Sequence, residues 1–190
     1  MIDFRYTVIS VIGPHAEETT TAILDRKIKD IRIAGLTFWL IKSRQAKPKM
    51  VQQICLEAHT KNAKCYCVLI EPSSKYSVSP TKEHCYAKEY SKDGVVWHPL
   101  PKELSPVTGK IDNASYALVF KQLKLVTDYI DLWQYADFFN RNDPVRIIRG
   151  SSTVCAIRKS LSNDADKIKS HIRRVVAIGE LCDPFCVYLR

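Results

Sequence analysis

The chain has 190 residues, of which 46% are hydrophobic and 26% charged, and it carries a formal net charge of +9. Such a composition belongs to a folded domain with a real core and excludes disordered and collagen-like chains. No apolar run approaches the roughly eighteen residues of a spanning helix, which predicts a soluble, cytoplasmic protein with no membrane partner.

The first residues, Met1-Ile2-Asp3-Phe4-Arg5, lack the basic-then-apolar order of a secretory signal. Seven cysteines, an odd number, sit largely within apolar runs, the setting of reduced, buried thiols. The positive charge is uneven. Residues 26–64 hold ten lysines and arginines against Asp30 and Glu57, and residues 141–174 hold nine against Asp143, Asp164 and Asp166. Concentrated positive charge favours an anionic partner, with a merely basic, solvated surface as the plain alternative.

In chain order, residues 5–12 are apolar and β-branched (Tyr6, Val8, Ile9, Val11, Ile12) and predict a first strand, broken by Gly13-Pro14. Residues 15–33 carry Thr20, Leu24, Ile28 and Ile31 at helical spacing, with Glu17 and Glu18 expected in the first turn. Gly35 suits the left-handed residue that ends a helix. The stretch 31–74 then reads as strand (Leu36 to Ile41), basic loop (Lys42 to Lys49), helix, and strand (Cys65 to Ile70). The helix places Val51, Ile54, Cys55 and Ala58 on one face. Alternating strands and helices of this kind predict an α/β fold, a Rossmann-like open sheet of parallel strands with a β-α-β-α-β amino-terminal half.

Residues 72–106 hold five prolines, and the wider segment 72–110 reads as an insertion in a single domain spanning 1–190. Asp93-Gly94 predicts a hairpin joining residues 86–90 to Val95, Val96 and Trp97. The run from Ser105 to Gly109 is dense in turn residues and is expected to form a fixed loop. Residues 116–126 predict a returning strand and residues 129–139 an aromatic-rich helix ended by Asp143-Pro144. Residues 145–149 and 153–157 flank Gly150-Ser151-Ser152 as a predicted hairpin. Residues 164–179 read as a helix with Ile168, Ile172, Val175 and Val176 inward, and residues 185–189 as a final strand.

Ligands of open α/β sheets bind beyond the carboxyl ends of the strands. Three such ends follow from this reading: Gly13-Pro14-His15, Lys42-Ser43-Arg44, and the loop opened by Glu71. Lys42, Ser43, Arg44, Lys47, Lys49, Ser73 and Lys75, joined by Arg146 and Arg149, are therefore the candidate ligand-binding residues. Cationic side chains with hydroxyls and helix amides suit phosphate oxygens, so the expected partner is nucleic acid or a phosphate-bearing nucleotide. Glycine-rich phosphate loops are missing, because Gly109-Lys110 lacks both the earlier glycine and a following hydroxyl residue.

Two other readings compete. A metal-dependent nuclease or other phosphoester hydrolase would group carboxylates around a divalent metal, with Glu71 and His15 as the weak catalytic candidates and Asp112, Asp128 and Asp131 as companions. No cofactor is predicted outside that alternative. Asp25-Arg26-Lys27 has acid-x-lysine spacing but reads as an exposed charge run on a helix. Cys65 and Cys67, with His84 and Cys85, are zinc candidates lacking a Cys-x-x-Cys pair, and Cys182 and Cys186 straddle Pro184 without one. The histidines are scattered, with His59 and His171 read as surface residues and His98 beside Trp97. No nucleophile elbow accompanies them. The third reading is a protein-interaction subunit that meets a partner through residues 72–106. Trp39 reads as core, whereas Trp97 and Trp133, with Tyr86, Tyr90 and Tyr135 nearby, are candidates to stack on bases.

Overall fold

The computed structural model describes residues 4–14, 18–43, 45–72, 87–104, 115–143, 145, 153–159 and 172–190. Two helices and nine strands lie within them, in the order β1 (Tyr6–Val11), α1 (Thr20–Ala34), β2 (Thr37–Lys42), α2 (Pro48–Thr60), β3 (Tyr66–Ile70), β4 (Glu89–Ser91), β5 (His98–Pro99), β6 (Ser115–Asp131), β7 (Tyr135–Asp137), β8 (Thr153–Arg158) and β9 (Ile172–Leu189). The protein is thus an α/β fold rich in strands. No helix among the described residues is long and apolar enough to cross a membrane.

The amino-terminal elements form where the side-chain pattern puts them. Gly35 adopts a left-handed φ of 76° and its N–H returns to the Ile31 carbonyl, ending α1 as expected. Helix α2 buries Val51, Ile54, Cys55 and Ala58 together with Pro48, its first residue. Helix α1 begins later than its periodicity suggests. Thr19 caps it by accepting from the Ala22 N–H, and Glu18 stands outside the first turn, bound to Arg26 at 2.7 Å.

The pairing departs from a parallel open sheet. Strand order is β2-β6-β9-β3-β1-β8-β7, and β1 with β3 is the one parallel pair among the described strands. Strand β2 lies at one end of that order, antiparallel to β6, and is separated from β3 by β6 and β9. The cause is the long ribbon formed by β6 and β9, of 17 and 18 residues, which claims the free side of β3 and presents residues 115–120 to β2. Two strands of that length bury more backbone against each other than a short crossover strand can offer.

Two expected helices are strand instead. Residues 172–179, the described part of the segment 164–179, belong to β9, where β-branched Val175, Val176 and Ile178 suit a pleated surface. Residues 129–139 hold the end of β6, one 3₁₀ turn (Leu132–Gln134) and β7. Aspartates break the helical option there: Asp131 accepts from the Trp133 N–H, and Asp137 from the Phe139 and Asn140 N–H groups. Strand β9 also runs through Pro184, because residues 182–185 bulge out opposite Val119 while Leu181 and Cys186 pair on either side.

The Asp93-Gly94 turn forms, with Gly94 at a φ of 82°. The strand after it is His98–Pro99, not 95–97, because the Asp93 carboxylate takes the N–H groups of Val95 and Val96 into the turn. Backbone donors from Val95 and Val96, with the Ser91 hydroxyl, hold that carboxyl at about 2. Strand β4 also pairs with the end of β9, so this hairpin extends the main sheet. The proposed partner strand at 145–149, the turn 105–109 and residues 164–171 fall outside the described residues, except for Val145.

The largest core cluster lies on the helix-covered face, where Leu24, Val51 and Ile54 meet Trp39, Leu118 and Phe120. Trp39 is buried there, as the strand pattern requires. Cys55, Cys65, Cys67, Cys155 and Cys186 belong to the same cluster and all are free thiols. Burial pushes the thiols of Cys55, Cys67, Cys155 and Cys186 above their usual range, so they behave as small apolar side chains.

Candidate anion-binding rim

Three chain ends meet at one edge of the sheet. Parallel pairing sets Val11 of β1 opposite Ile70 of β3, and the Ile12 N–H donates to the Ile70 carbonyl just beyond. Antiparallel pairing brings in the amino ends of two later strands. Ser10 faces Thr153 at the start of β8, and the Glu71 N–H donates to the Arg174 carbonyl near the start of β9. The end of β2 arrives by a side chain rather than by pairing. The Ser43 hydroxyl donates to the Thr153 carbonyl at 2.7 Å and accepts from the Gln45 N–H at 3.1 Å. The loop ends at Gly13, Ser43 and Glu71 are therefore gathered at one rim, although β2 does not run beside β1 or β3.

The hydroxyls at this rim are structural. Ser10 and Thr153 share a 2.8 Å hydrogen bond, and Ser10, Ser43 and Thr153 are all buried. Ser43, expected to contact a ligand, pins the basic loop to β8. Lys42 closes β2 opposite Ser115. Lys47 and Lys49 are exposed and open α2: Lys47 is the N-cap residue without a side-chain cap, Pro48 follows it, and Lys49 stands in the first turn. Cations at the positive end of a helix receive no help from its dipole, so the helix neither neutralises them nor occupies them. Glu71 is half-exposed and ion-paired to Arg174 at 3.1 Å. His15, Arg44, Ser73, Lys75, Arg146 and Arg149 lie outside the described residues, as do His84, Cys85, His171, Tyr86 and Asp112.

The groups that a phosphoester hydrolase needs do not gather among the described residues. Asp128 and Asp131 pair with Val175 and Ile172 from the far side of β9, whereas Glu71 meets Arg174 from the near side. Two strand spacings, about 10 Å, therefore separate their backbones from Glu71. No group of three or more His, Cys, Asp or Glu able to hold a metal ion is found among the described residues.

Several other candidates are engaged in packing. The Arg190 guanidinium lies 4.2 Å from the centre of the Trp97 ring, and the Lys159 ammonium 5.5 Å from that of Trp133. Tyr90 packs between Phe38 and His98, and Tyr135 is buried. Lys27, read as part of an exposed run, is buried beside Asp30 at 3.5 Å, and Asp30 also accepts from the Thr37 hydroxyl at 2.8 Å. Desolvation pulls the Lys27 ammonium down to about 8 despite the opposing charge of Asp30.

A groove away from the rim has no counterpart in the sequence reading. This half-open groove of about 350 Å³ is lined by residues including Leu56, His59, Lys64, Lys121, Glu180 and Phe185. Glu180 is buried at its base, with its Oε1 2.9 Å from the Lys121 Nζ and 3.1 Å from that of Lys64. Burial alone raises the Glu180 carboxyl, but the hydrogen bonds from Lys121 and Lys64 outweigh it and leave the group below its usual range. Lys64 precedes the strand read at 65–70, Lys121 lies in the strand read at 116–126, and Glu180 follows the helix read at 164–179, so no spacing links the three. Since Glu180 and Asp183 balance the two lysines, the groove presents no excess of positive charge.

The chain matches no protein-family model, no curated protein and no solved structure.

Proposed function

We propose that this protein is a basic module that binds an anionic ligand, nucleic acid or a phosphate-bearing nucleotide, at the rim where β1, β2 and β3 end. The observation that carries the reading is the Ser43–Thr153 hydrogen bond, which anchors the most basic loop of the chain beside the ends of β1 and β8. Lys47 and Lys49 stand exposed four and six residues beyond that pin, on a helix start with no side-chain cap. Lys42, Arg44, Lys75, Arg146 and Arg149, with the Ser73 hydroxyl, complete the proposed surface by their place in the sequence. Phosphate contacts of this kind release counterions, so binding is expected to weaken steeply with salt.

The test is binding of labelled single-stranded DNA, RNA and duplex, and of nucleoside triphosphates, across a salt series. Binding at low salt is expected to fall on charge reversal at Lys47 and Lys49, with the salt slope reduced by roughly one for each phosphate no longer neutralised. Absence of binding to all of these at low salt overturns the proposal. A protein-interaction role keeps one supporting feature, the apolar tip of the β4–β5 hairpin. Val95 and Val96 are 77% and 56% exposed there, on a turn held by Asp93. Loss of a partner on Val95→Ser/Val96→Ser substitution, with nucleotide binding intact, would favour that second reading.

A further inference from the structure

Among the described residues, the carboxyl half of β6 is an open strand edge. Along residues 121–131 one side of the strand pairs with β9, while on the other side the pairing with β2 reaches no farther than Phe120, opposite Thr37. Among the described residues no strand continues beyond β2 there. Lys121, Gln122, Lys124, Leu125, Thr127, Asp128 and Tyr129 are exposed, Leu125 by 45% and Tyr129 by 66%. A long edge with apolar side chains is a template for another strand unless charge or shape forbids it.

The order of charges on this edge selects the partner. Reading Lys121, Leu123, Lys124, Thr127, Asp128, Tyr129, Asp131, the cations come first and the anions last. Turned antiparallel about Val126, the segment meets a copy of itself with Lys124 opposite Asp128, Lys121 opposite Asp131, and Leu123 opposite Tyr129. The faces agree as well. Lys124 and Asp128 sit beside Ile178 and Val175 of β9, which belong to one core cluster, whereas Leu125 sits beside Ala177 of the other. Sliding the register by two positions in each strand sets Lys124 against Lys124 in one direction and Asp128 against Asp128 in the other. A parallel, in-register pair opposes like charges throughout. Relative to β9, β6 carries extra residues between Phe120 and Gln122 and between Leu125 and Asp128; the second lies beside the axis, and residues 122–125 and 128–131 are the regular arms on either side.

We propose that residues 121–131 of β6 form a symmetric interface with a second copy of this chain, pairing edge to edge in antiparallel register about Val126. Each contact occurs twice across the two-fold axis, so the interface is isologous and closes at two copies. Opposite charges directly facing across a strand pair stabilise it, and like charges destabilise it. Neither Lys124 nor Asp128 has an ion-pair partner among the described residues, which leaves both available to the copy.

Sedimentation or light scattering of the full chain over a micromolar concentration series reads this directly. The wild-type chain is expected to dimerise. Lys124→Asp, which faces Asp128 of the copy twice with like charge, is expected to weaken association by roughly tenfold or more. The exchange Lys124→Asp/Asp128→Lys restores each pair and is expected to recover the dimer, with circular dichroism confirming that both variants fold. A wild-type monomer throughout the series overturns the proposal. So does a dimer indifferent to Lys124→Asp, or one that the double exchange fails to restore.

Discussion

The two halves of β6 are continuous in the chain and opposite in environment. Residues 115–120 are all buried, flanked by β2 and β9, while residues 121–129 are exposed or half-exposed and lie along an edge. Composition follows this division. Tyr116, Ala117, Leu118, Val119 and Phe120 are an unbroken apolar run, as a strand covered on both faces requires. From Lys121 onward charged and apolar residues mix, as on a half-covered sheet. Phe120 marks the junction. Its ring lies over Gly179 of β9, where an added Cβ would stand 2.5 Å from the ring. Glycine is required there by close approach, and the ring covers the gap that it leaves.

The largest effect is therefore expected at this junction. Phe120→Ala removes a fully buried ring and leaves a cavity over Gly179, for a cost of about 3–5 kcal/mol in denaturant unfolding. A loss below about 1 kcal/mol would mean that the two halves are not divided as described.

Glu180 of β9 comes next, opposite Gln122 at the start of the exposed half of β6. Glu180→Gln weakens its bonds with Lys64 and Lys121, but both lysines are half-exposed, so a cost of about 1 kcal/mol is expected at neutral pH. The sign with pH is definite. The folded carboxyl lies below its usual range, so its contribution is complete above the ordinary glutamate pKa and is lost as pH falls through the lowered folded value. The stability gap between wild type and variant should close in acid, and a gap that does not change with pH would contradict the arrangement.

The smallest effect is expected on the open edge. Leu125→Thr, at a 45% exposed position on a strand, should change the stability of the isolated chain by no more than about 0.5 kcal/mol. A larger cost at low protein concentration would show that this half is packed, and would remove the contrast with residues 115–120.

Much of the local structure was legible in the residues. Helix α2 could be read from Val51, Ile54, Cys55 and Ala58, because one helical face must be apolar wherever the helix packs. Gly35 and Asp93-Gly94 could be read as stops and turns, because backbone conformation at those positions depends on the residue itself. The segments 129–139 and 172–179 misled because aromatic and β-branched residues at three- and four-residue intervals fit either period over a short window. Of the rim, the basic loop after β2 was visible in the sequence. The route by which it reaches β1 was not, since a buried serine hydroxyl donating to Thr153 leaves no mark in spacing. Glu180, Lys64 and Lys121 were also invisible, being brought together by strand register alone.

The sequence by itself determined the α/β character, the presence and order of the first strands and helices, and the concentration of positive charge after β2. These are local matters, decided by side-chain period, caps and turn residues within a few positions of each other. Only the tertiary structure decided that β2 pairs with β6, that β3 pairs with β9, and that half of β6 is an edge among the described strands. Those choices turn on which strand is long enough and apolar enough to win a given partner, a competition between segments far apart in the chain, as Tyr66 of β3 and Glu180 of β9 are. No window along the chain contains both contestants.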